Sequence, residues 1–199
     1  MIQMQAANNM AFKEWAAICA ALGEGLQTLI IRKGGIDEGH EGFRVAQREF
    51  WLFPTYQHEA AAGLEQEALP ILARVEAERP REGTLRLAQY AVVTDVFDVR
   101  DEKLLPRLAG QHIWSPRTVD ERYSYRRPGL FVLTVRVYVR REPHLIPDSP
   151  HFAGCRSWVD LPVDLSTDNL EPVLTDDEFD RCRQQIEQAL RTSSRETMA

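Results

Sequence analysis

Leu130-Phe131-Val132-Leu133-Thr134-Val135-Arg136-Val137-Tyr138-Val139-Arg140 decides how the rest of this 199-residue chain is read. Its β-branched residues and two-residue period predict a strand, because successive side chains on extended backbone point to opposite faces. Phe131, Leu133, Val135, Val137 and Val139 form a fully apolar face that belongs in a core. Val132, Thr134, Arg136, Tyr138 and Arg140 form the other, half polar, facing solvent or a ligand. A strand this long needs partners, and the flanking sequence supplies them.

On its N-terminal side, Ser115-Pro116 reads as an N-cap followed by proline at the first helical position. Asp101 caps a short helix carrying Leu104, Leu105 and Leu108, and the β-branched run Leu85 to Val99 predicts one long strand or two short ones. Glu59 to Glu78 reads as helical, with Leu64, Ala68, Ile71, Leu72 and Val75 inward and Pro70 either kinking it or starting a second helix. Strands are expected at Glu49 to Phe53, stopped by Pro54, and at Leu26 to Arg32. Before them, Asn8 or Asn9 caps a helix with Phe12, Trp15, Ala16, Cys19 and Leu22 on one face. On the C-terminal side, Pro143 to Pro150 reads as a connector and Gly154 to Val159 as loop or short strand. Thr175-Asp176-Asp177-Glu178 is a capping box with Leu174 and Phe179 as hydrophobic staple, opening a helix that buries Phe179, Cys182, Ile186 and Leu190.

Together these elements predict one α+β domain over residues 9–165, built on a mixed or mainly antiparallel sheet or a small β-barrel. An N-terminal helix flanks it, a capped helix over 174–191 packs on it, and residues 1–8 and 192–199 are disordered tails. The apolar and charged shares, 44% and 27%, are those of an ordinary globule. No apolar run is long enough to span a bilayer and no export signal is legible, so a cytoplasmic protein without membrane contact is expected. Cys19, Cys155 and Cys182 are odd in number and far apart, which fits reduced thiols.

The net charge of −6 argues against indiscriminate nucleic-acid binding, yet its distribution is uneven. Residues 107–141 hold eight Arg, no Lys and only two acids, a local excess of +6. With 21 Arg and three Lys in the whole chain, some Arg clustering is expected by chance. Within this segment, His112-Ile113-Trp114 and Arg122-Tyr123-Ser124-Tyr125-Arg126-Arg127 interleave rings with guanidiniums, which suits stacking on bases and pairing with phosphate. The same residues also suit a packed corner with Trp114 in the core.

Two strand ends add candidates. Arg32 and Lys33 run into Gly34-Gly35, where backbone approaches a ligand closely, or which simply makes a hairpin turn with two solvated cations. Tyr56 and His58 follow Pro54; Lys33 and His58 are the candidate acid–base groups if the protein is an enzyme. Arg156 lies beside Cys155, where a cation lowers a thiol's pKa. The candidate ligand-binding set is therefore Arg32, Lys33, Tyr56, His58, His112, Trp114, Arg122, Arg136, Tyr138 and Arg156. His144, His151 and Cys155 match no zinc spacing, and no phosphate loop, dinucleotide fingerprint or nucleophile elbow is present, so neither metal nor cofactor is expected.

From about Ala11 to Leu161 the chain resembles a bacterial family filed as domain of unknown function 1802. The matching strings are Arg32-Lys33-Gly34-Gly35-Ile36, Phe53-Pro54-Thr55-Tyr56 with His58, His112-Ile113-Trp114, Arg136-Val137-Tyr138 and Gly154-Cys155-Arg156-Ser157-Trp158. That resemblance carries no residue roles. Gly25-Leu26-Gln27-Thr28-Leu29-Ile30-Ile31-Arg32 also resembles the Gly-x-Lys-x-x-Glu-x-Arg signature of the ASCH group of PUA-like barrels, keeping the Gly and the Arg. The group includes RNA-associated modules and nucleoside amidohydrolases. Gln27 and Ile30 replace the Lys and the Glu an amidohydrolase needs, so the resemblance implies binding rather than catalysis. The leading expectation is a PUA-like module binding RNA, single-stranded or structured, or a nucleotide. The alternatives are an enzyme, hydrolase or nuclease, acting on a phosphorylated or nucleobase-containing substrate, and a protein–protein adaptor using the Arg/Tyr strand.

Overall fold

A computed structural model describes residues 4–33, 47–56, 60–154 and 156–191. The chain runs β1 (Ala7–Trp15), α1 (Ala16–Gly23), β2 (Leu29–Arg32), β3 (Glu49–Thr55), α2 (Leu69–Ala77) and β4 (Thr84–Val99). It continues through α3 (Pro116–Ser124), β5 (Leu130–Pro147), β6 (Trp158–Ser166), β7 (Leu170–Pro172) and α4 (Asp176–Leu190). The strands form one sheet in the order β2-β5-β4-β3-β1-β6, with β7 added on β5. Every described pairing is antiparallel except β1 with β3. This is a mixed α+β fold with a mostly antiparallel, open sheet and flanking helices. No described helix is long and apolar enough to cross a membrane.

The decisive strand is longer and more enclosed than its sequence implies. β5 pairs with β4 almost end to end, and both of its faces are buried between Leu130 and Tyr138. The half-polar face is therefore not open to solvent. Thr134, Arg136 and Tyr138 on that face are all buried, and α4 lies over Arg136. The proline-rich stretch expected as a connector is instead the end of β5. It is tolerated because the β4–β5 register slips between Val139 and His144, where Pro143 has no ladder bond to lose. Pro54 likewise sits inside β3, beyond the Glu49–Trp51 segment that pairs with β4, so it disturbs a ladder on one side only.

The N-terminal segment departs most from expectation. Residues 7–15 are strand, and helix begins only at Ala16. Asn8 caps nothing; its Nδ2 donates to the Glu49 carbonyl and to the Tyr90 hydroxyl, both at 2.9 Å. Strand β1 lies inside the sheet with Ala11 and Phe12 fully buried on opposite faces, and a strand enclosed on both sides carries no clean alternation to read. Gln5 and Ala7, placed in a tail by sequence, are tied to Glu49 and Ser166. Helix α1 is buried through Ala16, Ala17, Ile18, Cys19, Ala21 and Leu22 rather than along one stripe.

The sheet curls until its edge strand β2 meets β1, four strands away in the sheet order. No ladder joins them. Instead the Arg32 Nη2 donates to the Lys13 carbonyl at 2.5 Å, and its guanidinium carbon lies 4.3 Å from the centre of the Phe12 ring. The ends of β1 and β2 are thereby brought side by side, and α3 closes over them.

Candidate functional site

Those strand ends and α3 enclose a cleft of about 430 Å³ lined by Trp15, Lys33, Gly63, Arg117, Arg122 and Tyr125. Local bonding fixes its walls. Ser115 Oγ accepts the Thr118 N–H to start α3, as its sequence predicts, and also donates to the Ala62 carbonyl at 3.1 Å. The Ser115 N–H donates to the Gly63 carbonyl at 3.0 Å. Helix α3 and the 60–63 wall are thus stitched together. Glycine is required at 63, since a Cβ there would lie 2.8 Å from the Trp15 indole. Tyr125 ends α3 with 53% of its surface exposed, an aromatic face at the mouth of the cleft.

Deeper in, the half-buried Arg122 stacks on the fully buried Trp114, its guanidinium carbon 3.7 Å from the ring centre, and donates to the Ile31 carbonyl at 3.2 Å. Trp114 meets Trp15 edge to face at 4.7 Å. Burial brings the Arg122 pKa down to about 10; Glu14 raises it and Arg32 lowers it. Glu14, with its side chain 1% exposed, stands 3.8 Å from Arg32 without a hydrogen bond to it. One Glu14 oxygen accepts the Trp15 N–H at 2.9 Å; among the described residues the other, Oε2, has no hydrogen-bond partner, and neither has the buried Arg32 Nε. His112 is buried close by, its pKa lowered to about 4 chiefly by burial, with the Arg122 charge adding to the effect.

The structure thus gathers Arg32, Lys33, His112, Trp114 and Arg122 in one region. It gives Lys33 a different task from acid–base chemistry. All three ammonium donors are used, by the carbonyls of Tyr123 and Gly129 at 2.7 and 2.8 Å and by that of Arg127. Burial and then the Arg100 charge lower its pKa. The other candidates lie elsewhere. Arg136 is buried against α4, paired with Asp176 at 2.6 Å and donating to the Leu174 carbonyl at 3.2 Å. Its site is not that of Arg32. Arg32 stands opposite Phe131 in register, five residues from Arg136, so the two guanidiniums leave opposite faces of the sheet. Tyr138 is buried beside Trp51 and Tyr90 in the second core cluster, closed to a base. Tyr56 is covered by Arg79, whose guanidinium carbon lies 4.7 Å from its ring centre, and exposed Arg156 donates to the His151 carbonyl at 3.1 Å. Gly34, Gly35, His58 and Cys155 lie outside the described residues.

Sequence reasoning missed Glu14, Trp15, Gly63 and Arg117. Glu14 had one legible signal, an acid beside Lys13 within the otherwise apolar stretch Met10 to Ile18. Among the described residues no group of three His, Cys, Asp or Glu side chains is placed to share a metal ion.

In overall structure the chain is similar to the crystal structure of ASCH from Zymomonas mobilis, at 11% identity and a TM-score of 0.44, over 90% of this chain and 93% of that one. A serine-to-alanine mutant of that protein gives 10% identity and a TM-score of 0.46, over 91% and 98%. No curated protein matches the chain. The model of the family described as Domain of unknown function (DUF1802) matches residues 11–185, and the chain belongs to that family.

Proposed function

We propose that this protein binds RNA, seating one nucleotide of a single strand in the cleft between α3 and the ends of β1 and β2. The observation that carries the reading is the cleft itself: about 430 Å³, with exposed Tyr125 and half-buried Trp15 as ring surfaces, Arg122 as a cation without an ion pair among the described residues, and Arg117 beside it paired with Glu121 at 2.7 Å. The volume suits a small-molecule-sized group, rings stack on any base, and guanidiniums meet phosphate. One wall of the cleft, α3 with Tyr125, belongs to the arginine-rich 107–141 segment of an acidic chain. An enzyme reading is less well supported, because Lys33 has no donor left for a substrate.

The test is fluorescence anisotropy with a mixed-sequence single-stranded RNA over a range of salt. Each neutralised phosphate releases counterion, so three or four contacts give a log–log slope of about −2 to −3. Arg122→Ala weakens binding and flattens the slope. Absence of binding at low salt overturns the reading and leaves an enzyme acting on a small molecule and an adaptor role as the alternatives.

A further inference from the structure

Behind Arg122 lie two polar atoms that the protein leaves unmatched. Among the described residues Glu14 Oε2 is an acceptor without a donor, and Arg32 Nε is a donor without an acceptor. Both are buried, and they belong to side chains 3.8 Å apart that form an ion pair without a hydrogen bond. An unmade hydrogen bond in such a place costs free energy, and more so for charged groups. The charges are also unequal. Two guanidiniums, Arg32 and Arg122, face one carboxylate, and among the described residues Arg122 has no ion-pair partner. The group that completes this arrangement must donate one hydrogen bond, accept another beside it, and carry one negative charge.

A ribonucleotide within a strand meets all three conditions, since its 2′-hydroxyl donates next to a 3′-phosphodiester bearing a single charge. Resting on the RNA reading above, we propose that Glu14 accepts the ribose 2′-hydroxyl while Arg32 and Arg122 hold the adjoining phosphodiester. The protein thereby tells RNA from DNA at this position, a distinction that rests on the 2′-hydroxyl. Oε2 is closed to solvent here, so entry requires the Arg122 side chain to give way. Among the described residues it is held by its 3.2 Å bond to the Ile31 carbonyl, its stack on Trp114 and the charge of Glu14.

The experiment measures, by anisotropy at fixed low salt, the affinity of one uracil-containing octamer as RNA, as 2′-deoxy polymer and as 2′-O-methyl polymer. The wild type is expected to favour RNA over both variants by roughly tenfold, the cost of one unmatched buried acceptor. Glu14→Met, which removes the acceptor, brings the RNA to 2′-deoxy ratio close to one. Glu14→Gln, whose amide oxygen still accepts, keeps most of it. Equal binding of all three polymers by the wild type overturns the role of Glu14 while leaving RNA binding in place, as does a ratio unchanged in folded Glu14→Met. The ligand-side comparison decides the matter even if Glu14→Met does not fold. No binding of any polymer overturns this inference together with the reading it rests on.

Discussion

Arg136 and Arg122 are both arginines of the same basic segment, both withdrawn from solvent, and both stacked on aromatic rings. Arg136 lies 5.1 Å from the Phe179 ring centre and Arg122 3.7 Å from that of Trp114. Their hydrogen bonding separates them. Arg136 has a carboxylate, Asp176, and a carbonyl, Leu174, both from the α4 region, so its charge is spent on docking that helix. Arg122 has one carbonyl and no ion pair among the described residues, and it lines a cleft. A buried cation with its partners supplied is architecture; one left short of acceptors marks where a ligand fits.

The comparison breaks first if the α4 side is not structural. Phe179→Ala is expected to cost roughly 3–5 kcal/mol in a denaturant melt, because the ring is buried beneath Arg136. An unchanged midpoint would mean that α4 contributes nothing to the fold. Next in size is a pH effect on the cleft side. The unfolded chain protonates His112 near pH 6.5 whereas the folded chain resists protonation down to about 4. In that window the unfolded state binds the extra proton, so stability is full above pH 6.5 and falls with acidification, by ~3 kcal/mol in all. His112→Gln should remove that component from stability measured between pH 7 and 4.

Arg136→Ala sharpens the contrast directly. It is expected to lower stability by about 2 kcal/mol through the lost ion pair and hydrogen bond, with RNA affinity and its salt slope unchanged. A loss of RNA binding without a loss of stability would place the site on the wrong face of the sheet. Tyr125→Ala has the reverse profile. It weakens RNA binding by about 1–2 kcal/mol, the worth of one base stack, while slope and melting midpoint stay put. The smallest effect is Thr175→Ala, about 1 kcal/mol from removal of the capping-box hydroxyl, read in the same melts.

Legibility in the sequence followed the range of the interactions involved. Local chemistry was plain. The Thr175 capping box, the Ser115 cap with Pro116 and the Asp101 cap all appear where the residues put them, and the Leu85–Val99 run, read as one long strand or two short ones, is one strand. Each is decided within a few residues by backbone preference and side-chain-to-backbone bonding. Residues 7–15 were not legible, because Phe12, Trp15 and Ala16 fit helical spacing as well as a doubly buried strand. Which of the two forms depends on β3 and β6 lying on either side. Of the candidate site, the cations and rings of the Arg122 and Lys33 neighbourhoods were visible, but their tasks were not.

The sequence by itself determined the fold class, the caps and the concentration of arginine between residues 107 and 141, since composition, period and capping are local properties. Only the tertiary structure decided which arginine docks a helix and which lines a cleft. It also decided that Lys33 holds three carbonyls and that Glu14 stands buried with an oxygen unmatched. The physical reason is that a charged side chain's role depends on the acceptors that surround it. Those acceptors come from residues distant in the chain: Ile31 for Arg122, Asp176 for Arg136, and Gly129 for Lys33.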